Sequence, residues 1–276
     1  MIRRFIHSTL GVPYKLHIRD IRKVPRPRAT VLFIHGIGSS GAEWQDVIRR
    51  LPGDVSIVTI DLLGFGSSPR PEWAKYDANE QAKAVIATLL GRRIATRLIV
   101  VGHSLGALVA VEVAKKYPLL VRSLVLCSPP FYAPQTEGAP MLSPEKFLNS
   151  FYAKVEHNQE YFIKMANLAM KYKLVNPAFS LSRETFPSYI QTLKATIMNQ
   201  SAYDDVRTIQ RPITIVYGAF DPFVIDKNIK RIAADNPHVK LSKILVGHEI
   251  IGRFVPAVAK VINRHIEEGK SPTLAG

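Results

Sequence analysis

"VVGHSLGALVAVEVAKKYP", residues 100–118, joins a β-branched run to a stretch with apolar residues every three or four positions, and sets one serine between two glycines at the join. The preceding "RLIVVG" has the length and composition of a strand, and "LGALVAVEVAKKY" has helical spacing. Ser104 therefore falls on a strand-to-helix turn. Gly102 and Gly106, two residues to either side, let the two elements approach closely. Such a turn strains the residue between them and projects its hydroxyl at the carboxyl edge of a sheet, beside the free N–H groups and positive end of the next helix. A G-x-S-x-G string alone arises by chance; between a strand and a helix it marks a candidate nucleophile.

Around this turn the chain alternates. "ATVLFIHG", "VSIVTID", "RLIVVGHS", "VRSLVLCS" and "ITIVYGAFD" are nearly continuous apolar runs, as strands buried on both faces must be. "YDANEQAKAVIATLL" has helical spacing, "VKLSKILVG" reads as a last strand, and a closing helix is expected near 253–268. "RRFIHST" and "YKLHIRD" read as an opening hairpin around Gly11-Val12-Pro13. The pattern predicts an α/β fold, a mostly parallel sheet flanked by helices.

One stretch departs from it. Between about Pro129 and Tyr203 no sheet strand is evident, and three segments look helical, with Pro177 and Pro187 marking breaks. The stretch carries 12 of the 24 aromatic residues and every methionine but Met1. Small helices need bulky residues to form any core; the same residues suit the apolar underside of a lid. The expected division is a core over 1–128, a helical cap over 129–204, the rest of the core over 205–268, and a flexible tail over 269–276.

The chain has 276 residues, 47% of them apolar and 21% charged, within the range of folded globular chains. The single cysteine, Cys127, excludes an internal disulfide, and no Cys/His spacing suggests a metal site. The expected setting is cytoplasmic, with no membrane span in the sequence. The net charge of +15 raises the question of a polyanionic partner. Residues 1–28 hold eight Lys and Arg against the single acid Asp20, yet no stacking platform or basic helix accompanies them. A solvated face is the expectation, without nucleic acid, and contact of this basic N-terminal segment with an anionic surface is the alternative.

A serine nucleophile needs a base, and the base an orienting acid. Of the eight histidines, His248 in "KILVGHEI" follows the last strand, where a loop reaches the carboxyl edge; His35 in "FIHGIG" is placed to hold a turn. In "ITIVYGAFDPFV" Asp221 lies just past the preceding strand, where an Asp-Pro turn is its plainer role; Asp226 is placed to cap the next helix. The order Ser104, Asp221, His248 is that of a nucleophile-elbow fold. Backbone N–H groups of Ile37 and Leu105 could converge on one oxyanion, with Gly38 as an alternative donor. "DLLGFGSSP" at 61–69 lacks dinucleotide-binding spacing and reads as structural.

Taken in order, "LFIHGIGSSGAEW", "VTIDLLGFGSS", "VVGHSLGA", "YGAFDPFV" and "VGHEI" resemble the α/β-hydrolase superfamily, in its lidded esterase and lipase-like branch that also contains carbon–carbon bond hydrolases. The likeness spans roughly 28–128 and 207–268 and leaves the insertion unmatched. It implies an eight-stranded sheet, a Ser-His-Asp triad, and no metal or organic cofactor. Relatives with aspartate or cysteine at the position of Ser104 are thereby set aside. Some members carry the acid after the sixth strand of the family sheet, but "CSPPFY" offers no carboxylate there. Cys127 suits a small buried apolar role or the pocket floor. The expected activity is hydrolysis of a small or medium apolar ester; carbon–carbon, thioester or amide hydrolysis by the same triad, or a non-catalytic binding protein, are the alternatives.

Overall fold

The computed structural model describes residues 2–94, 97–134 and 144–268. The expected tail at 269–276 lies outside these residues. Seven strands among the described residues form one sheet: β1 (Ile18–Arg22), β2 (Thr30–Ile34), β3 (Ser56–Ile60), β4 (Leu98–His103), β5 (Val121–Cys127), β6 (Ile213–Gly218) and β7 (Val239–Ile244). Their order is β1-β3-β2-β4-β5-β6-β7, with β1 antiparallel to β3 and every other pair parallel.

Strand burial explains why the runs were legible. Every residue of β2, β3, β4 and β6 is buried, so alternate side chains meet two different apolar layers. Leu32, Val58, Val100, Leu124 and Ile215 face the layer holding helices α1 (Ala78–Gly91) and α2 (Leu105–Lys116). Val31, Phe33, Val101, Val125 and Cys127 face Trp44 and the C-terminal helix. Asp77 caps α1 by accepting from the Glu80 amide at 2.7 Å, which fixes where that helix starts.

Between β5 and β6 lie α3 (Pro144–His157), α4 (Gln159–Lys171) and α5 (Phe186–Thr192), the last running into a π turn at Leu193–Met198. After β6 come α6 (Asp226–Asp235) and, after β7, α7 (Phe254–Glu267).

Two expectations are corrected. Among the described residues the sheet has seven strands, because Ile2–Thr9 is helical rather than the first arm of a hairpin. Ile2, Phe5 and Ile6 are spaced three and four apart, which suits a helical turn and not strand alternation. Asp226 does not cap α6; as its first residue it accepts from the Tyr217 hydroxyl at 2.9 Å and pairs with Lys243 at 2.8 Å and Lys230 at 2.9 Å. Part of the basic opening segment is spoken for: Arg19 pairs with Asp61, Arg22 donates to the Pro52 and Val55 carbonyls, and Arg28 pairs with Asp54. Asp61 also accepts from the amides of Gly41 and Ser67, both at 2.8 Å, which bears out the structural reading of its motif.

His265 of α7 is buried with its Nε2 2.8 Å from the Thr214 hydroxyl, and burial pulls its pKa down to about 4. The unfolded ring protonates near about 6.5, so its contribution to stability is full above that pH and is lost as pH falls toward 4. The slope is at most about 1.4 kcal/mol per pH unit for one such group. His265→Gln is expected to flatten the dependence of Tm on pH across this window, measured by thermal melts; parallel curves for both proteins would refute the assignment.

Candidate active site

Ser104 sits at the end of β4, before α2, with φ 50° and ψ −117°, a conformation side chains rarely adopt. The flanking glycines are a packing requirement. A Cβ on Gly102 would stand 2.3 Å from the Gly106 carbonyl oxygen, and one on Gly106 would stand 2.3 Å from that of Ile34. Gly102→Ala is accordingly expected to cost about 3 kcal/mol or more, because the obstacle is backbone and cannot swing aside. Urea denaturation measures it; a loss below about 1 kcal/mol would contradict the close approach.

Three further loops reach the same edge of the sheet. Asp221 follows β6, and its buried carboxylate accepts from the Phe223 amide and from His248 Nδ1, at 2.8–2.9 Å. Burial alone would raise the Asp221 pKa, but the charge and hydrogen bond of His248 outweigh it and hold the carboxyl below its ordinary value. His248 follows β7, and the ring of Phe223 meets its ring edge-on at 4.9 Å. The third loop follows β2. There the Ile37 amide has no hydrogen-bond partner among the described residues, and neither has the Leu105 amide on the far side of Ser104. Gly36 is different: its amide donates to Glu43 Oε2 at 3.2 Å.

Ser104, His248 and Ile37 line one cavity of about 280 Å³. No hydrogen bond joins the Ser104 hydroxyl to His248 among the described residues; the two share the cavity wall. Its roof is supplied by Tyr152, Val155, Phe162, Met165, Phe179 and Tyr189, from the segments between β5 and β6. Asn176 fastens that roof to the loops below. Its amide N–H donates to Glu249 at 3.0 Å, and its side chain donates to the carbonyls of Glu43 and Ile250. Ser180 adds a bond from its amide to the Gly38 carbonyl at 2.7 Å.

His35 holds the turn, as expected. Its Nε2 must accept, because the Leu62 amide donates to it at 2.8 Å, so Nδ1 carries the proton and donates to the Gly36 carbonyl. Burial keeps this ring neutral. Cys127 is buried in the layer facing α7, where burial pushes its thiol pKa up, and its carbonyl accepts from the Ser104 amide at 2.9 Å.

Sequence reasoning missed Glu43 and His103. His103 Nε2 donates to the His248 carbonyl at 3.0 Å, and Nδ1 stands 2.7 Å from Glu43 Oε1. Burial opposes charge on both groups, yet their mutual attraction outweighs it, raising the His103 pKa and lowering that of Glu43. The buried pair thus ties the β2 loop, through Gly36, to the loop bearing His248. Nothing in the sequence linked them, since 60 residues separate the partners.

Sequence comparison shows the family, and structure comparison shows the same fold. The family model described as "alpha/beta hydrolase fold" matches residues 29–251. "Probable lysophospholipase BODYGUARD 5" of Arabidopsis thaliana is 31% identical over 128 residues, 44% of this chain and 29% of that protein. The 2-(acetamidomethylene)succinate hydrolase of Mesorhizobium japonicum is 42% identical over 95 residues, 34% of each chain. The matched region thus spans about a third or less of these relatives. An esterase from Exiguobacterium antarcticum superposes with a TM-score of 0.74 at 15% identity, over 92% of this chain and 96% of the esterase, a likeness of fold. With its parallel sheet, strained serine turn and family match over most of its length, this chain belongs to the α/β-hydrolase fold family.

Proposed function

We propose that the chain is a serine hydrolase that cleaves a carboxylic ester of a small or medium apolar substrate through an acyl-enzyme. One observation carries the reading: a single apolar-roofed cavity has Ser104 on its strained turn and His248, backed by Asp221, in its wall. His248 Nε2 takes the Ser104 proton as Oγ attacks the ester carbonyl. The Ile37 and Leu105 amides donate to the oxyanion, each such preorganised donor being worth about 3 kcal/mol in the transition state. Asp221 orients the ring and stabilises the imidazolium. The alcohol leaves with the proton from His248, and water activated by the same ring hydrolyses the acyl-enzyme.

The cap helices select the acyl or alcohol group by shape. The 280 Å³ cavity lies at the small end of ligand pockets, which favours short and medium groups. Glu249 in its wall, with no ion pair among the described residues, disfavours an anionic substrate, such as the dicarboxylate named for the Mesorhizobium relative.

A fluorophosphonate probe and a panel of p-nitrophenyl esters from acetate to decanoate test the proposal together. The expected results are covalent mass on Ser104 and a kcat/KM maximum at short or medium acyl length. Labelling without cleavage of any ester would move the reaction to a carbon–carbon, thioester or amide bond, and absence of labelling on folded protein would leave a binding protein.

A further inference from the structure

A second cavity, of about 440 Å³, opens at the opposite edge of the sheet, where β2, β4, β5 and β6 begin. Strand rise puts it about 20 Å from the Ser104 edge, the length of the six-residue β4. Four arginines line it: Arg28, Arg97, Arg122 and Arg211. Arg28 is neutralised by Asp54 at 2.8 Å. The other three have no ion pair among the described residues. Arg122 donates to the His265 and Ile266 carbonyls at 2.7 and 3.1 Å, and Arg211 to that of Pro118 at 3.1 Å, which fixes both guanidiniums while leaving further N–H groups unused. Among the described residues the one acid in the wall, Glu268, faces Lys240 at 3.6 Å.

Burial lowers the Arg122 pKa, and the charge of Arg97 lowers it further, so two like charges stand close without a counter-ion. A second, independent observation points to a ligand. The Ser123 hydroxyl belongs to a buried residue in the wall and has no hydrogen-bond partner among the described residues, and Arg28 Nε is buried without one among them as well. Buried polar atoms are seldom left so.

We propose that this pocket binds the phosphoryl groups of a small phosphorylated molecule, with a diphosphate as its best-fitting group. Guanidinium forks match phosphate oxygens two by two, and three unpaired cations balance the charge of a diphosphate. The Ser123 hydroxyl supplies a neutral donor at the back of the site. The volume exceeds one tetrahedral anion, and the concave wall suits a compact ligand better than a nucleic-acid backbone. The proposal is independent of the chemistry at Ser104.

Isothermal titration of the full chain with inorganic diphosphate, at constant ionic strength, tests it. The expected result is saturable binding of one diphosphate per chain. Arg97→Gln, which removes a side chain with no hydrogen bond or ion pair among the described residues, should weaken binding about tenfold, and Arg97→Gln with Arg211→Gln about a hundredfold. Circular dichroism confirms that the variants are folded. Failure of the wild type to bind, equal binding by Arg97→Gln, or equal heats from sulfate would each overturn the assignment. So would sedimentation with phosphatidate-containing vesicles in the absence of diphosphate binding, which would place the phosphate on a lipid surface.

Discussion

Replacing Ser104 by alanine is expected to lower kcat on the preferred p-nitrophenyl ester by about a millionfold, the scale on which removal of the nucleophile disables a triad. The fold should survive, because the hydroxyl makes no hydrogen bond among the described residues and the Cβ is retained. Alanine keeps the strain at φ 50°, whereas glycine relieves it, so Ser104→Gly should be the more stable variant by about 1 kcal/mol. Steady-state kinetics with thermal melts of both variants separates the two effects. Turnover within about a hundredfold of wild type would place the nucleophile elsewhere.

Asp221→Asn is expected to lower kcat by about ten thousandfold. The Asn oxygen can still accept from the Phe223 amide, but its NH₂ then faces His248 Nδ1, which Asp221 Oδ2 now meets at 2.8 Å. Nδ1 must accept from that amide, so the proton moves to Nε2 and the ring no longer offers a base to Ser104. Stability adds a check of a different kind. Because the Asp221 carboxyl is held below its ordinary pKa, its contribution is full above the unfolded carboxylate pKa and is lost as pH falls through the folded one. The wild type's advantage over Asp221→Asn in urea should therefore shrink on acidification. An unchanged kcat would remove Asp221 from the mechanism.

The framework was legible because β2 to β6 are buried on both faces and read as unbroken apolar runs with turn residues at their ends. Ser104 and Asp221 each stand just past such a run; His248 follows β7, an edge strand with three exposed residues, and was singled out by the loop behind it instead. The opening helical turn has its signal in the spacing of Ile2, Phe5 and Ile6, but over so short a span the turn residues Gly11-Val12-Pro13 drew the reading to a hairpin. Glu43 carries no signal of its own in the sequence; its buried charge is met by His103, which only the fold brings to it. The arginine pocket was hidden for the same reason, its members coming from the starts of separate strands.

The roof over the cavity is latched rather than merely laid on, through Asn176 to the Glu43 and Ile250 carbonyls and to Glu249, and through Ser180 to Gly38. Transplanting the segment between β5 and β6 from another family member is thus a graft with a compatibility rule. A donor lacking an amide side chain at the place of Asn176 would leave two carbonyls of the recipient unmet, however well its apolar underside matched the new substrate.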